Sequence, residues 1–198
     1  MAVTVEDIKK LKELTGIGLT DAKVALVEAD GDFDKALEAL RKKGLTKAEK
    51  KADREALEGV IDSYVHGGRI GVLVEVNCET DFVARTDGFK EFAHMIALQV
   101  ASMSPIYVSE ADIPAEELER VREEAKSSDA LNGKPAEMID KIVDGQVKKH
   151  FADKVLLSQS YIMDDSKTVE QYLKETVALT GENVVIRRFK RIELGVND

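Results

Sequence analysis

The chain has 198 residues, with 29 lysines and arginines against 38 aspartates and glutamates, a net charge of −9. At 43% hydrophobic residues it can build a core, and its length fits one sizeable domain with a small satellite. No apolar run reaches the roughly 18 residues of a membrane span, the N-terminus shows no apolar signal core, and the single Cys78 excludes an internal disulfide, so a reducing cytoplasm is expected. The acidic balance argues against binding nucleic acid over a broad surface.

The first 44 residues read as three short helices. Thr4 caps the first, with Asp7 three residues on in a capping-box-like pattern, and Val5, Ile8, Leu11 and Leu14 are expected to line one face. Thr20 is expected to cap a second helix through Ala22, Ala25, Leu26 and Ala29. Asp32 caps a third that buries Phe33, Ala36, Leu37 and Leu40 and ends at Gly44. Such a module carries a small core and is marginal alone.

Between Arg41 and Glu58 the composition shifts. Seven basic residues (Arg41, Lys42, Lys43, Lys47, Lys50, Lys51, Arg54) face four acidic ones, and an exposed connector helix over 45–58 is expected. The charge therefore divides as −4 over 1–40, +3 over 41–58 and −8 over 59–198.

From Gly59 the pattern becomes β-rich. Residues 60–65 and 70–76 are strands joined through Gly67-Gly68, a hairpin signal, and the second run is apolar enough to be the better buried. Phe89, Phe92, Ala93, Ile96, Ala97, Val100 and Ala101 then hold helical spacing over three turns, ended by Ser104-Pro105. Residues 106–108 suggest a short strand. Pro114 starts an acidic helix, and Met138, Ile139, Ile142, Val143 and Val147 mark another apolar face. A helix capped by Thr168 and closed by Gly181 leads into a last strand over 184–194. Strands interleaved with helices make the main body, 59–198, an α+β core with a small antiparallel sheet packed by helices.

Chemistry is sparse in this pattern. No phosphate-cradling Gly-rich loop is present, and His66, His94 and His150 share no metal-ligand spacing with Cys78, so neither cofactor nor metal is expected. Cys78 is followed by Glu79 and Asp81, which oppose thiolate formation, and it reads as a small buried filler. The basic runs Arg41–Arg54 and Arg187–Arg191 could meet RNA but lack interleaved stacking aromatics. The unusual stretch is Thr80-Asp81-Phe82-Val83, apolar where a strand–helix connection is ordinarily polar. Two readings stand: Asp81 caps a helix turn and Phe82 plugs the junction, or Phe82 is a surface wedge for a partner's pocket with a carboxylate alongside.

The run Glu75-Val76-Asn77-Cys78-Glu79-Thr80-Asp81-Phe82-Val83-Ala84-Arg85 resembles the signature of the translation elongation factor Ts family. Leu14-Thr15-Gly16-Ile17-Gly18, Leu40-Arg41-Lys42-Lys43-Gly44, Gly133-Lys134-Pro135 and Val185–Phe189 extend the likeness along the chain. The resemblance implies a guanine-nucleotide exchange factor for elongation factor Tu, without covalent chemistry of its own. It implies that 1–44 is a module similar to ubiquitin-associated domains, holding the partner's nucleotide domain through Gly16, Gly18, Asp21 and Lys23. Thr80, Asp81, Phe82 and Val83 would disturb the partner's magnesium site and loosen GDP. A chain with one core unit further implies a homodimer. Many relatives carry a His where this chain has Gln99, and Lys23-Val24 replaces a Lys-Lys pair.

Overall fold

The structure is a computed structural model that describes residues 3–15, 17–40, 50–127 and 135–196. The chain divides into two compact units, one of residues 1–61, 75–93 and 171–186, the other of residues 62–74, 94–170 and 187–198.

In the first unit, α1 (Val5–Thr15), α2 (Leu19–Glu28) and α3 (residues 33–40 among those described) close a core of their own around Leu11, Ala22, Ala25, Leu26 and Ala36. The expected cap on α1 is present: the Asp7 amide donates to Thr4 Oγ1 at 3.1 Å, and that hydroxyl donates to Asp7 Oδ2 at 2.6 Å. Asp32 caps α3 through the Lys35 amide at 3.1 Å. Two expectations fail. Val5 and Leu14 are more than half exposed, whereas Leu11 is buried. Each residue turns a helix about 100°, so positions spaced strictly by three drift around it, and the ends of such a run face opposite sides. Thr20 lies inside α2, whose N-terminal cap is Gly18 with no side-chain bond.

The connector departs most from expectation. Residues 50–54 are turn and bend and 55–57 are irregular, not helix; residues 45–49 and the expected cap Gly44 lie outside the described residues. Asn183 Nδ2 donates to the carbonyls of Ala52 (3.3 Å) and Arg54 (2.7 Å), and Lys51 Nζ to that of Gly181. The first two carbonyls are thus taken by a side chain instead of by amides further along a helix.

Strands β1 (Glu58–His66), β2 (Ile70–Cys78) and β5 (Val184–Glu193) form a sheet in the order β1-β2-β5. Its directions follow from its ends: the Arg69 amide closes the hairpin turn on the His66 carbonyl, and the Leu194 amide, just past β5, reaches the Arg69 carbonyl, just before β2. Both neighbours of β2 are therefore antiparallel to it. Val72, Val74 and Val76 are buried along β2, as its apolar run predicts. At Gly59 a Cβ would lie 2.1 Å from the Val76 carbonyl oxygen, so only glycine permits this approach of the two backbones.

Helix α4 (Asp81–Ala84) is a single turn, followed by α5 (Asp87–Met103). All seven apolar positions expected on the face of α5 are buried. In the second unit α6 (Ala115–Lys126) and α7 (Ala136–Phe151) pack around Val121, Ala125, Val143, Val147 and Phe151, with Met138 left exposed. The short strand expected at 106–108 is a single parallel bridge from Tyr107 to Val155. The hairpin β3 (Ser160–Tyr161) and β4 (Asp164–Thr168) is absent from the sequence reading. Beneath it, the buried Gln99 donates to Gln159 Oε1 and to the Ser160 carbonyl, both at 3.1 Å, and accepts from the Ile162 amide at 2.9 Å. Helix α8 (Val169–Thr180) ends at Gly181, whose φ of +74° reverses the chain into β5.

Candidate functional site

The β2 strand runs buried to Cys78 and then emerges. Thr80 is the N-cap of α4: its φ of −129° and ψ of 153° keep it extended while its Oγ1 accepts from the Val83 amide at 3.4 Å. On the far side, Thr86 Oγ1 donates to the Val83 carbonyl at 2.8 Å and accepts from the Phe89 amide at 3.3 Å. Two threonines thus bracket one helical turn. Ala84 is buried, Val83 is half-buried, and Phe82 is 79% exposed. Of the two readings, the plug by Phe82 is therefore not formed, and the cap is Thr80 instead of Asp81. Asp81 instead pairs with Arg85 at 2.7 Å, both partly in solvent.

A phenylalanine this exposed is a cost in water unless something covers it. The turn fixes the backbone beneath the ring and leaves the ring free, with the Asp81 carboxylate next to it. Such an exposed aromatic on a fixed backbone, with an adjacent charge, suits insertion into a partner, since little backbone freedom remains to be lost on docking.

Cys78 contributes no chemistry to this turn. It is fully buried, its Sγ–H donates to the Thr80 carbonyl at 3.2 Å, and burial, reinforced by the charge of Glu182, pushes the thiol up to about 11. Among the described residues no group of three or more His, Cys, Asp or Glu could hold a metal. His66 meets the Tyr64 hydroxyl, His94 meets Asp62, and His150 meets Lys154, each a pairing at 2.8–3.0 Å.

The second candidate group lies on α2. Gly16 falls outside the described residues. Gly18, Asp21 and Lys23 are exposed at the start of the helix, and with them stand Leu19, Val24 and Val27, each close to half exposed or more. Asp21 occupies the first turn, where its charge favours the helix dipole. The described candidate residues thus fall at two places, Thr80–Val83 on α4 and its cap and Gly18, Asp21 and Lys23 at the start of α2, where Asp21 and Lys23, two positions apart, point to different sides of the helix.

The family model described as Elongation factor TS matches residues 46–196, about three quarters of the chain. The chain belongs to the elongation factor Ts family. It is 52% identical to the elongation factor Ts of Coprothermobacter proteolyticus over 196 residues, 98% of this chain and 100% of the relative. Identity is 52% to that of Thermoanaerobacter sp. (98% of this chain, 95% of the relative) and 51% to that of Thermotoga petrophila (98% of each). These elongation factor Ts relatives match the chain nearly end to end, so the N-terminal helices belong to the shared length even though the family model starts at residue 46.

Two residues at this elongation factor Ts signature were not singled out from sequence. Glu182 Oε2 accepts from the Glu79 amide (3.1 Å) and the Thr80 amide (3.0 Å), and its Oε1 from the Thr80 hydroxyl (2.6 Å). The Asn183 amide in turn donates to Glu79 Oε1 at 2.6 Å. The one local signal is Gly181, which marks a tight helix-to-strand reversal but does not say what the turn touches.

Proposed function

We propose that the chain is a guanine-nucleotide exchange factor that binds elongation factor Tu with GDP and promotes GDP release during translation elongation in the cytoplasm. The observation that carries this reading is Phe82, 79% exposed on a one-turn helix pinned at both ends, with Asp81 beside it. Asp81 and Phe82, mounted between Thr80 and Val83, enter the partner near its magnesium and phosphate site. Magnesium bridges nucleotide phosphates and is the largest local charge in such a site, so disturbing its coordination weakens GDP. No bond is made or broken by this chain. The coupling is reciprocal: a factor that weakens GDP is itself weakened by GDP to the same extent, and rebinding of GTP releases it.

Gly18, Asp21 and Lys23, with Gly16 in the same motif, hold the partner's nucleotide domain. The chain acts as a homodimer. Val65, Leu73 and Ile192, more than half exposed on their strands, supply the apolar surface that supports this assembly; sedimentation of the protein alone is expected to give twice the chain mass, and a monomer at micromolar concentration contradicts it.

The test of exchange is stopped-flow release of a fluorescent GDP analogue from elongation factor Tu as this protein is titrated in. The rate is expected to rise and saturate. A rate independent of the protein at every concentration refutes the proposal. An RNA adaptor would instead show steep salt dependence of RNA binding and no stoichiometric GTPase in a nuclease-treated pull-down.

A further inference from the structure

We propose that Glu182 is the positioning residue for the exchange turn: through one carboxylate it sets how Phe82 is presented, without touching the partner itself. This rests on the exchange reading and adds to it a residue about a hundred positions away in the chain.

Phe82 is too exposed for packing to orient it, so its direction depends on the backbone of residues 80–83. The Asp81–Arg85 ion pair is local and largely solvated, and pairs of that kind contribute little. The bonds that tie the turn to the rest of its unit converge on Glu182: two backbone amides and one hydroxyl, at 3.1, 3.0 and 2.6 Å. Hydrogen bonds to an ionised carboxylate are stronger than neutral ones, and three of them fix the carboxylate as much as it fixes them.

The hydroxyl carries a further consequence. Thr80 Oγ1 has one proton, and it is committed to Glu182, so a lone pair is left for the Val83 amide. Glu182 therefore orients the very group that caps α4. Removing it frees the hydroxyl rotor, loosens the cap and leaves two amides without their acceptor in a single change. The clamp is also anchored at its own root. Gly181, in the left-handed region, aims Glu182 back at the end of β2. Asn183 is buried, and its bonds to Glu79, Ala52 and Arg54 hold the neighbouring backbone.

The experiment compares full-length wild type with Glu182→Ala, Glu182→Gln, Phe82→Ala and the Glu182→Ala/Phe82→Ala double variant. Two readouts are taken: the maximal rate and half-saturating concentration of GDP release from elongation factor Tu, and amide hydrogen exchange by NMR. Of the three bonds lost, the one to the Thr80 hydroxyl acts on the cap of α4, and loss of one charge-assisted hydrogen bond corresponds to about tenfold. Glu182→Ala is therefore expected to lower the maximal rate by about tenfold, with the half-saturating concentration changed by less than about twofold. Glu182→Gln keeps one acceptor oxygen and is expected to recover part of the rate. In the Phe82→Ala background the same substitution is expected to cost less than about twofold, because its effect passes through Phe82. The amides of Glu79, Thr80 and Val83 should exchange about tenfold faster, with those of the buried α5 positions unchanged. A general loss of stability would instead raise exchange across α5 and cost as much rate with Phe82 absent as with it present, and either result overturns the proposal. So do unchanged exchange at Glu79 and Thr80, or wild-type rates in Glu182→Ala. If Glu182→Ala does not fold, Glu182→Gln is judged on the same amides and the same cycle. Should wild type itself fail to release GDP, the exchange reading falls, and the amides still decide whether Glu182 holds the turn.

Discussion

The two groups of residues proposed to meet a partner are held by opposite means. The start of α2, with Gly18, Asp21 and Lys23, has no side-chain cap and depends on five buried residues of a small helical core, all within about 25 positions of one another. The turn over Thr80–Val83 buries little, and is held by directional polar bonds, three of them from a residue 102–103 positions away. A packed module presents a surface and tolerates small adjustments. A polar clamp fixes the stretch of backbone from which one side chain projects. On the proposed function, binding falls to the first and the disturbance of a tightly coordinated ion to the second.

Substitutions that separate the two patches should separate the two kinetic parameters. Phe82→Ala removes an anchor without opening a cavity, since the ring is exposed. The maximal GDP-release rate should fall about thirtyfold, the effect of losing about 2 kcal/mol at an interface hot spot. Thermal unfolding should stay within about 0.5 kcal/mol of wild type. A folded Phe82→Ala with the wild-type rate would contradict a role for the ring in GDP release. Leu26→Ala acts on the other patch. Leu26 is fully buried, and truncating a buried leucine costs about 2–5 kcal/mol, enough to melt a module this small. The half-saturating concentration should rise several-fold while the maximal rate is kept, with helical signals of residues 5–40 lost in NMR spectra.

Lys23→Ala should have a smaller effect still. An exposed charge at an interface rim mainly governs encounter, so a change of about twofold to threefold in half-saturation is expected, shrinking as salt is added. The smallest effect at neutral pH concerns Cys78. Its folded pKa of about 11 lies above the value of about 8.5 for a free thiol. The folded state thus favours the protonated form: this contribution is complete below pH 8.5 and is lost as pH rises towards 11. Denaturant midpoints should be flat from pH 7 to 8 and fall between pH 9 and 11, and Cys78→Ser should flatten that fall. Thiol reagents at pH 8 should react with the native protein about a hundredfold more slowly than with the unfolded chain. Rapid native labelling would place Cys78 in solvent and undo the account of the strand beneath the turn.

What could be read from sequence divides along the same line as the two patches. The apolar face of α5 holds true helical spacing over three turns, and all seven positions are buried. The caps at Thr4 and Asp32 act within three residues, a range at which residue type alone is informative. The evenly spaced run from Val5 to Leu14 misled because a step of three is shorter than a helical turn. In the described part of the connector, the carbonyls of Ala52 and Arg54 accept from Asn183, a residue about 130 positions later, a contact that local composition does not reveal. Strand β4 reads Asp-Asp-Ser-Lys-Thr and has no apolar alternation by which to be seen. At the site, the signature turn was legible as an oddity of composition and through its family resemblance. Whether Phe82 plugged or projected was not, because exposure depends on what packs against it. Glu182 was invisible for the same reason: nothing near it in the chain says that β2 ends beside α8.

On the proposed function, Asp81 and Phe82 loosen GDP by disturbing magnesium. The direct measurement is the fold stimulation of GDP release by saturating protein, taken with magnesium in excess and again with magnesium chelated. If the turn acts on the ion, chelation raises the unstimulated rate and the stimulation collapses towards unity, most of it being the part that Phe82→Ala also abolishes. An equal fold stimulation with and without magnesium would contradict it.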